Sequence, residues 1–334
     1  MTPPVKLVFT CTLGFFGALG YSQQPPIAPP LHPGDQPSIL FAVEGELMER
    51  NAAGHMSSLP TLSPIAFLVN GEIRGCYSDQ LHGSSRNNGE DQAIEQLIRA
   101  YTPPKHYPVW WRGTPWGQAL AVKPCIDNSI SMEGCFHLRP DPGQRAFPNG
   151  SLAISYTGSV SAPTHGLAHG GVNEKERTVF LEFASSAYAR HHIHAASRGI
   201  HLEAIWKSQL QTGHDVLIGN TVFQYALKEK DVWASVRLVL AVEEIEGKYS
   251  AVLTEFHRST INITAENPAP RPGAILRGES EYDVEEFVDN FPLFTGESDA
   301  IVTEHRYDEA AAYSIYRRRG DHYERVYTGC GGSE

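Results

Sequence analysis

Residues 299–328, DAIVTEHRYDEAAAYSIYRRRGDHYERVYT, decide how the rest of the chain is read. Ala300, Val302 and Glu304 alternate with Ile301 and Thr303, and the same two-residue period returns at Tyr313, Ile315 and Arg317 and again at Tyr323, Arg325 and Tyr327. Side chains two apart share one face of a strand, so the run predicts three short strands, each with a half-buried face. Residues 306–311 are polar or small, and Arg319-Gly320-Asp321 supplies a residue tolerant of positive φ. An antiparallel meander is the expected outcome.

Working outward, the period of two recurs. It appears at Leu152, Ile154 and Tyr156, at Val179, Leu181 and Phe183, and at Val236, Leu238, Leu240 and Val242, and ILFAVEGEL, after Ser38, also looks strand-like. Further strands are expected at 107–112, 118–123 and 249–256. Asn70-Gly71, Gly219-Asn220 and Glu246-Gly247-Lys248 read as hairpin turns. One clear helix is expected, at 91–101, where Ile94, Leu97, Ile98 and Tyr101 share a face and Thr102-Pro103-Pro104 ends it. Residues 202–210 fit a helix or a strand equally. The fold class is therefore mainly β, antiparallel sheets and meanders with that helix in the N-terminal half. The hairpins at 234–256 and 299–328 are similar enough for a duplication of one ancestral unit.

At 334 residues the chain can bury one large core or two ordinary ones. Lys6 followed by an uncharged apolar run at 7–20 reads as a secretory signal covering 1–22, and the apolar run is too short to span a bilayer comfortably. A Pro-rich linker follows at 23–37, then an N-terminal β-rich domain at 38–145 and a C-terminal antiparallel β domain at 146–334, divided at the breaker-rich run 140–149. After cleavage no other apolar stretch has spanning length. The expected location is secreted or periplasmic.

Lys and Arg number 27 against 38 Asp and Glu, a net charge of −11, which repels phosphate backbones and argues against a nucleic-acid partner. Arg317-Arg318-Arg319 reads as a solvated hairpin tip. Export places Cys76, Cys125, Cys135 and Cys330 where thiols oxidise. Four cysteines allow three pairings; Cys125 with Cys135 closes the shorter loop and is preferred, leaving Cys76 with Cys330.

The run 288–302, VDNFPLFTGESDAIV, continues into the opening stretch, and together they resemble the C-terminal unit of a family of uncharacterised secreted bacterial proteins. That unit is similar to one FG-GAP/VCBS-like repeat, an acidic loop leading into paired strands. SPIAFLVNGEIRGCYSD at 63–79 and DQAIEQLIRAYTPPKHYPVWWRG at 91–113 resemble the same family, so the likeness covers less than half the chain. Such repeats can hold calcium in an Asp-x-Asp-x-Asp-Gly loop. Here Pro292, Phe294 and Thr295 stand where carboxylates belong, and Asp289 with Asp299 supplies too few oxygens for calcium.

Three residue groups are candidates for chemistry. His165, His169, His191 and His194, with Glu182 or Glu203, are residue types that hold zinc or copper, although loop imidazoles are commonly only solvated. Trp110, Trp111 and Trp116 suit a sugar ring or a protein partner. Adjacent tryptophans on a strand face opposite ways, so at least one of the first two belongs in the core. The acids at 243–246 and 279–289 can serve glycoside hydrolysis only at a fixed separation, and read otherwise as solvated loops. No nucleophile elbow, H-E-x-x-H, P-loop or G-x-G-x-x-G occurs. The sequence thus points to a non-enzymatic secreted or periplasmic protein that binds a protein or carbohydrate, needing no cofactor, with a secreted hydrolase as the alternative.

Overall fold

The computed structural model describes residues 38–50, 56–74, 105–111, 114–124, 136–140, 147, 151–155, 171–193, 199–227, 232–262, 284–294, 297, 299–306 and 311–329. The signal and linker at 1–37, the helix expected at 91–101, Cys76, Cys125, Cys135, Cys330, His165, His169 and His194 lie outside them. The described chain is mainly β, as the two-residue period predicts: three antiparallel sheets and one helix.

The first sheet has seven strands: β1 (Ser38–Arg50), β2 (Met56–Val69), β3 (Glu72–Arg74), β4 (Lys105–Trp111), β5 (Thr114–Pro124), β6 (Phe136–Pro140) and β7 (Ser151–Ser155). Its order is β1-β7-β4-β5-β6-β2-β3, and a further β1–β2 pairing closes the sheet on itself. Closure covers the inner face of the ring, and residues of a further sheet, Phe291 among them, join the same core. Accordingly, Ile39 to Val43 are five consecutive buried residues rather than an alternating set. The expected turn at Asn70-Gly71 joins β2 to β3 with φ of 53° and 78°, as a type I′ turn requires.

The second sheet is the meander β8 (His201–Gln209), β9 (Asp215–Ala226), β10 (Val232–Ile245) and β11 (Lys248–Asn262). The third is the meander β12 (Val284–Phe291), β13 (Ala300–Arg306), β14 (Ala311–Arg319) and β15 (His322–Gly329), the last three being the strands read from the opening stretch. The third sheet lies between the other two. Val288, Phe291, Val302, Tyr313, Ile315 and Tyr327 share a core with the first sheet, while Phe287, Ile301, Tyr316 and Tyr323 share one with the second. Its two-residue period thus serves two buried faces.

The helix α1 (Glu174–Arg190) covers the far face of the second sheet, burying Phe180, Ala184, Ala187 and Tyr188 against Val236, Leu238 and Leu240. This corrects the strand read from Val179, Leu181 and Phe183. The short alternation there is coincidental, because the buried positions follow the helical spacing of i, i+4, i+7 and i+8. Asn173 and Glu176 form a capping box, with Asn173 N donating to Glu176 Oε2 at 2.8 Å and Glu176 N to Asn173 Oδ1 at 3.0 Å. Glu176 Oε1 also accepts from Lys207 Nζ at 2.8 Å, tying the helix start to β8. Among the described residues no helix is long and apolar enough to cross a membrane.

Two ambiguities resolve through packing. Residues 202–209 are strand, because β8 pairs along β9. Gly219-Asn220 is no turn but lies within β9. A Cβ on Gly219 would overlap the Ala204 carbonyl and stand 3.0 Å from the Phe180 ring, so this glycine permits close approach rather than reversal.

Candidate functional site

Where the second and third sheets face each other, the seam divides into two halves. One half is apolar, built from Val239, Ile218, Phe287, Ile301 and Tyr323. The other gathers charge: Glu285 from β12, Thr303 from β13, Tyr316 from β14 and Arg325 from β15 meet Glu255 and His257 from β11. Glu285 Oε1 accepts hydrogen bonds from Thr303 Oγ1 and, at 2.6 Å, from Tyr316 Oη. Its Oε2 lies 2.8 Å from His257 Nε2, a close charge contact although the ring N–H is not aligned on that oxygen. Arg325 Nη2 stands 3.0 Å from Glu255 Oε1, and the His257 and His305 rings meet edge to face at 5.6 Å. Asn220 Nδ2 donates to the Glu285 carbonyl, so the residue read as a turn former instead stitches β9 to β12.

Electrostatics follow from this geometry. Burial alone pushes the Glu285 carboxyl up, but His257, with the hydroxyls of Thr303 and Tyr316, overcomes it and draws the group down to about 2. Burial pulls the His257 imidazole down, and Glu285 and Glu255 outweigh that and raise it. Burial and the Glu285 charge hold Glu255 above the usual carboxylate range. The acids expected to be solvated at 279–289 are therefore partly interior: Glu285 and Asp289 are buried. Glu285 and Asp289 lie where β12 is covered by its neighbours, whereas Glu286 between them is exposed.

At the outer end of this seam an open cleft of ≈ 340 Å³ is lined by Thr212, His214, Glu243, Ile245, Glu297, Arg318 and Gly320. Glu243 is clamped from two sides, with His214 Nδ1 at 2.9 Å from Oε1 and Arg318 Nη1 donating to Oε2 at 2.7 Å. Arg318 Nε donates to the Gly320 carbonyl at 2.9 Å. Arg317 pairs with Glu297 and lies over the Phe294 ring at 4.3 Å. Arg317 and Arg318 are therefore half-buried and paired, which corrects the reading of a solvated tip for those two, while Arg319 is exposed at the hairpin end. Strand alternation sends Arg317 to Glu297 and Arg318 to Glu243, each with a partner that is distant in sequence or on another strand.

The other expected residues fall elsewhere. Trp110 is buried and meets Phe291 edge to face at 5.4 Å, whereas Trp111 packs at 5.5 Å against Trp116. The opposite facing of the adjacent tryptophans is as predicted. Trp110 is accordingly packed in the core. Trp116 is the extra residue of a bulge, since Val109 pairs with Gly117 and Trp110 with Pro115. Trp111 and Trp116 are half-buried.

His191 is the C-cap of α1, its ring 4.4 Å from Phe256, and burial with the Arg258 and Arg190 charges lowers its affinity for a proton. Among the described residues no three His, Cys, Asp or Glu side chains gather as metal ligands. Asp299 Oδ2 accepts from Gln211 N at 3.0 Å and Asn290 Nδ2 at 2.8 Å, so it anchors the loop before β9. Sequence reasoning named Glu243 and Glu285 only within acidic runs and missed His257 and His214 as their partners, since no short spacing joins residues 28 or more positions apart. No protein-family model matches the chain, and no curated protein or solved structure matches it.

Proposed function

We propose that this is an exported, non-enzymatic binding protein, and that the cleft between His214 and Arg318 receives a small uncharged ligand of the carbohydrate class. The observation that carries the reading is the charge-balanced clamp on Glu243 at the edge of an open cleft. A carboxylate tied through both oxygens suits a fixed pattern of donors and acceptors better than proton exchange with a leaving group. The side chain of Ile245 is exposed at the rim and offers an apolar patch for the C–H face of a sugar ring. The cleft volume falls at the lower end of the small-ligand range, about 300–1,000 Å³. Export rests on the signal-like segment at 1–22 and the four remaining cysteines.

The test is titration of the full mature chain with a panel of neutral oligosaccharides, followed by amide chemical shifts. Shifts confined to residues around 212–214, 243–245 and 318–320, and lost in His214→Ala, are the expected result. A panel that moves none of these resonances overturns the reading. A secreted hydrolase has one observation in its favour, the His257 ring oriented by Glu285 and partly open to solvent. Release of products from the same panel, abolished in His257→Gln, would establish that activity instead.

A further inference from the structure

We propose that His257, when protonated, is a pH-dependent latch that closes the polar half of the seam between the second sheet and the C-terminal meander. Its place in the structure supports this role. His257 Nε2 is buried between two carboxylates, 2.8 Å from Glu285 on the third sheet and 3.9 Å from Glu255 on its own strand. The rest of the ring reaches the surface, the side chain being 25% exposed, so protons can exchange without unfolding.

The charged and titratable groups facing this position can be taken strand by strand among the described residues. β10 contributes Arg237, directly opposite His257 in the β10–β11 ladder, and β8 contributes Glu203, which stands 3.5 Å from Arg237 and balances its charge. β9 contributes the neutral Asn220. β11 contributes Glu255; β12, Glu285; β13, His305; β14, Tyr316; and β15, Arg325. With both carboxylates ionised and with His257 and Arg325 charged, these four groups sum to zero. Loss of the His257 proton leaves Glu285, Glu255, His257 and Arg325 together with a net negative charge. A buried charge without its counterion is costly, and relief comes from admitting water between the sheets.

The sign follows from the shifts. His257 is raised above its free value of 6.5, so its contribution is complete below that pH and is lost as pH rises through the folded midpoint. Glu255, raised above 4.5, acts in the same direction. Glu285 is lowered from 4.5 to about 2, so its contribution is complete above 4.5 and is lost as pH falls through about 2. For the His257–Glu285 pair both contributions are complete between 4.5 and 6.5, and the pair loosens as pH rises through the His257 midpoint. The apolar half, held by Val239, Ile301 and Tyr323, does not titrate in this range, which makes the opening local.

The experiment is amide hydrogen exchange on the full mature chain at about pH 6 and about pH 9, corrected for intrinsic rates, alongside an NMR titration of the assigned His257 ring. The ring should titrate above 6.5. Protection of β11 and β12 amides near His257 should fall by about tenfold or more across that midpoint, while protection near Ile301 in β13 holds. In His257→Gln the two pH values should give equal protection. A ring midpoint below 6.5, unchanged wild-type protection, or an equal loss in His257→Gln overturns the latch. If His257→Gln does not fold, the wild-type ring midpoint and exchange profile still decide.

Discussion

The two faces of the C-terminal meander make an instructive pair, because the same four strands meet one neighbour through hydrocarbon and the other partly through charge. Toward the first sheet, Phe291, Val302, Tyr313 and Ile315 bury apolar area beside Trp110 and Phe41. Toward the second, Glu285, Thr303, Tyr316 and Arg325 occupy one end of the seam. Apolar burial is non-directional and accepts many registers, whereas a carboxylate that must meet two hydroxyls and an imidazole accepts few. The first face supplies cohesion. The second selects how two similar four-stranded meanders lie against each other, and adds a dependence on protons.

The sharpest way to break this contrast is Phe291→Ala, which should destabilise by about 3–5 kcal/mol with the same loss at every pH, read by urea denaturation. Glu285→Ala follows, at about 3 kcal/mol near neutral pH, because it strands His257 and two hydroxyls. Its loss should shrink as pH rises through the His257 midpoint, since the wild type then forfeits the same contact; a pH-independent loss would place Glu285 with the apolar face. Tyr316→Phe should cost about 1–2 kcal/mol and leave packing intact, a difference that Tm and near-ultraviolet dichroism together can read. Trp111→Ala should change stability least, by about 0.5 kcal/mol, as the ring is half-buried on the face away from Trp110. A loss comparable with Phe291→Ala would put both tryptophans in the core.

How much of this could be read beforehand depended on whether the governing contact was local. The strands at 300–306, 311–319 and 322–329 and the turns at Asn70-Gly71 and Glu246-Gly247 were legible because period and turn chemistry act within a few residues. Helix α1 was misread although Asn173 and Glu176 signalled its start, since a run of Val, Phe and Leu satisfies a strand template over so short a span. The Gly219-Asn220 pair misled for a different reason. Its glycine is required by Phe180 and the Ala204 carbonyl, and its asparagine by the backbone of Glu285, all at long sequence separation.

Alone, the order of residues determined that this chain would form antiparallel layers, where several of them reverse, and that its net charge is −11, because those properties follow from neighbours and sums. Only the tertiary structure decided which carboxylates are interior and which cations answer them. A strand's pattern states that it has two faces; what covers each face depends on another strand far along the chain, and with it whether an acid such as Glu285 is solvated or placed against His257.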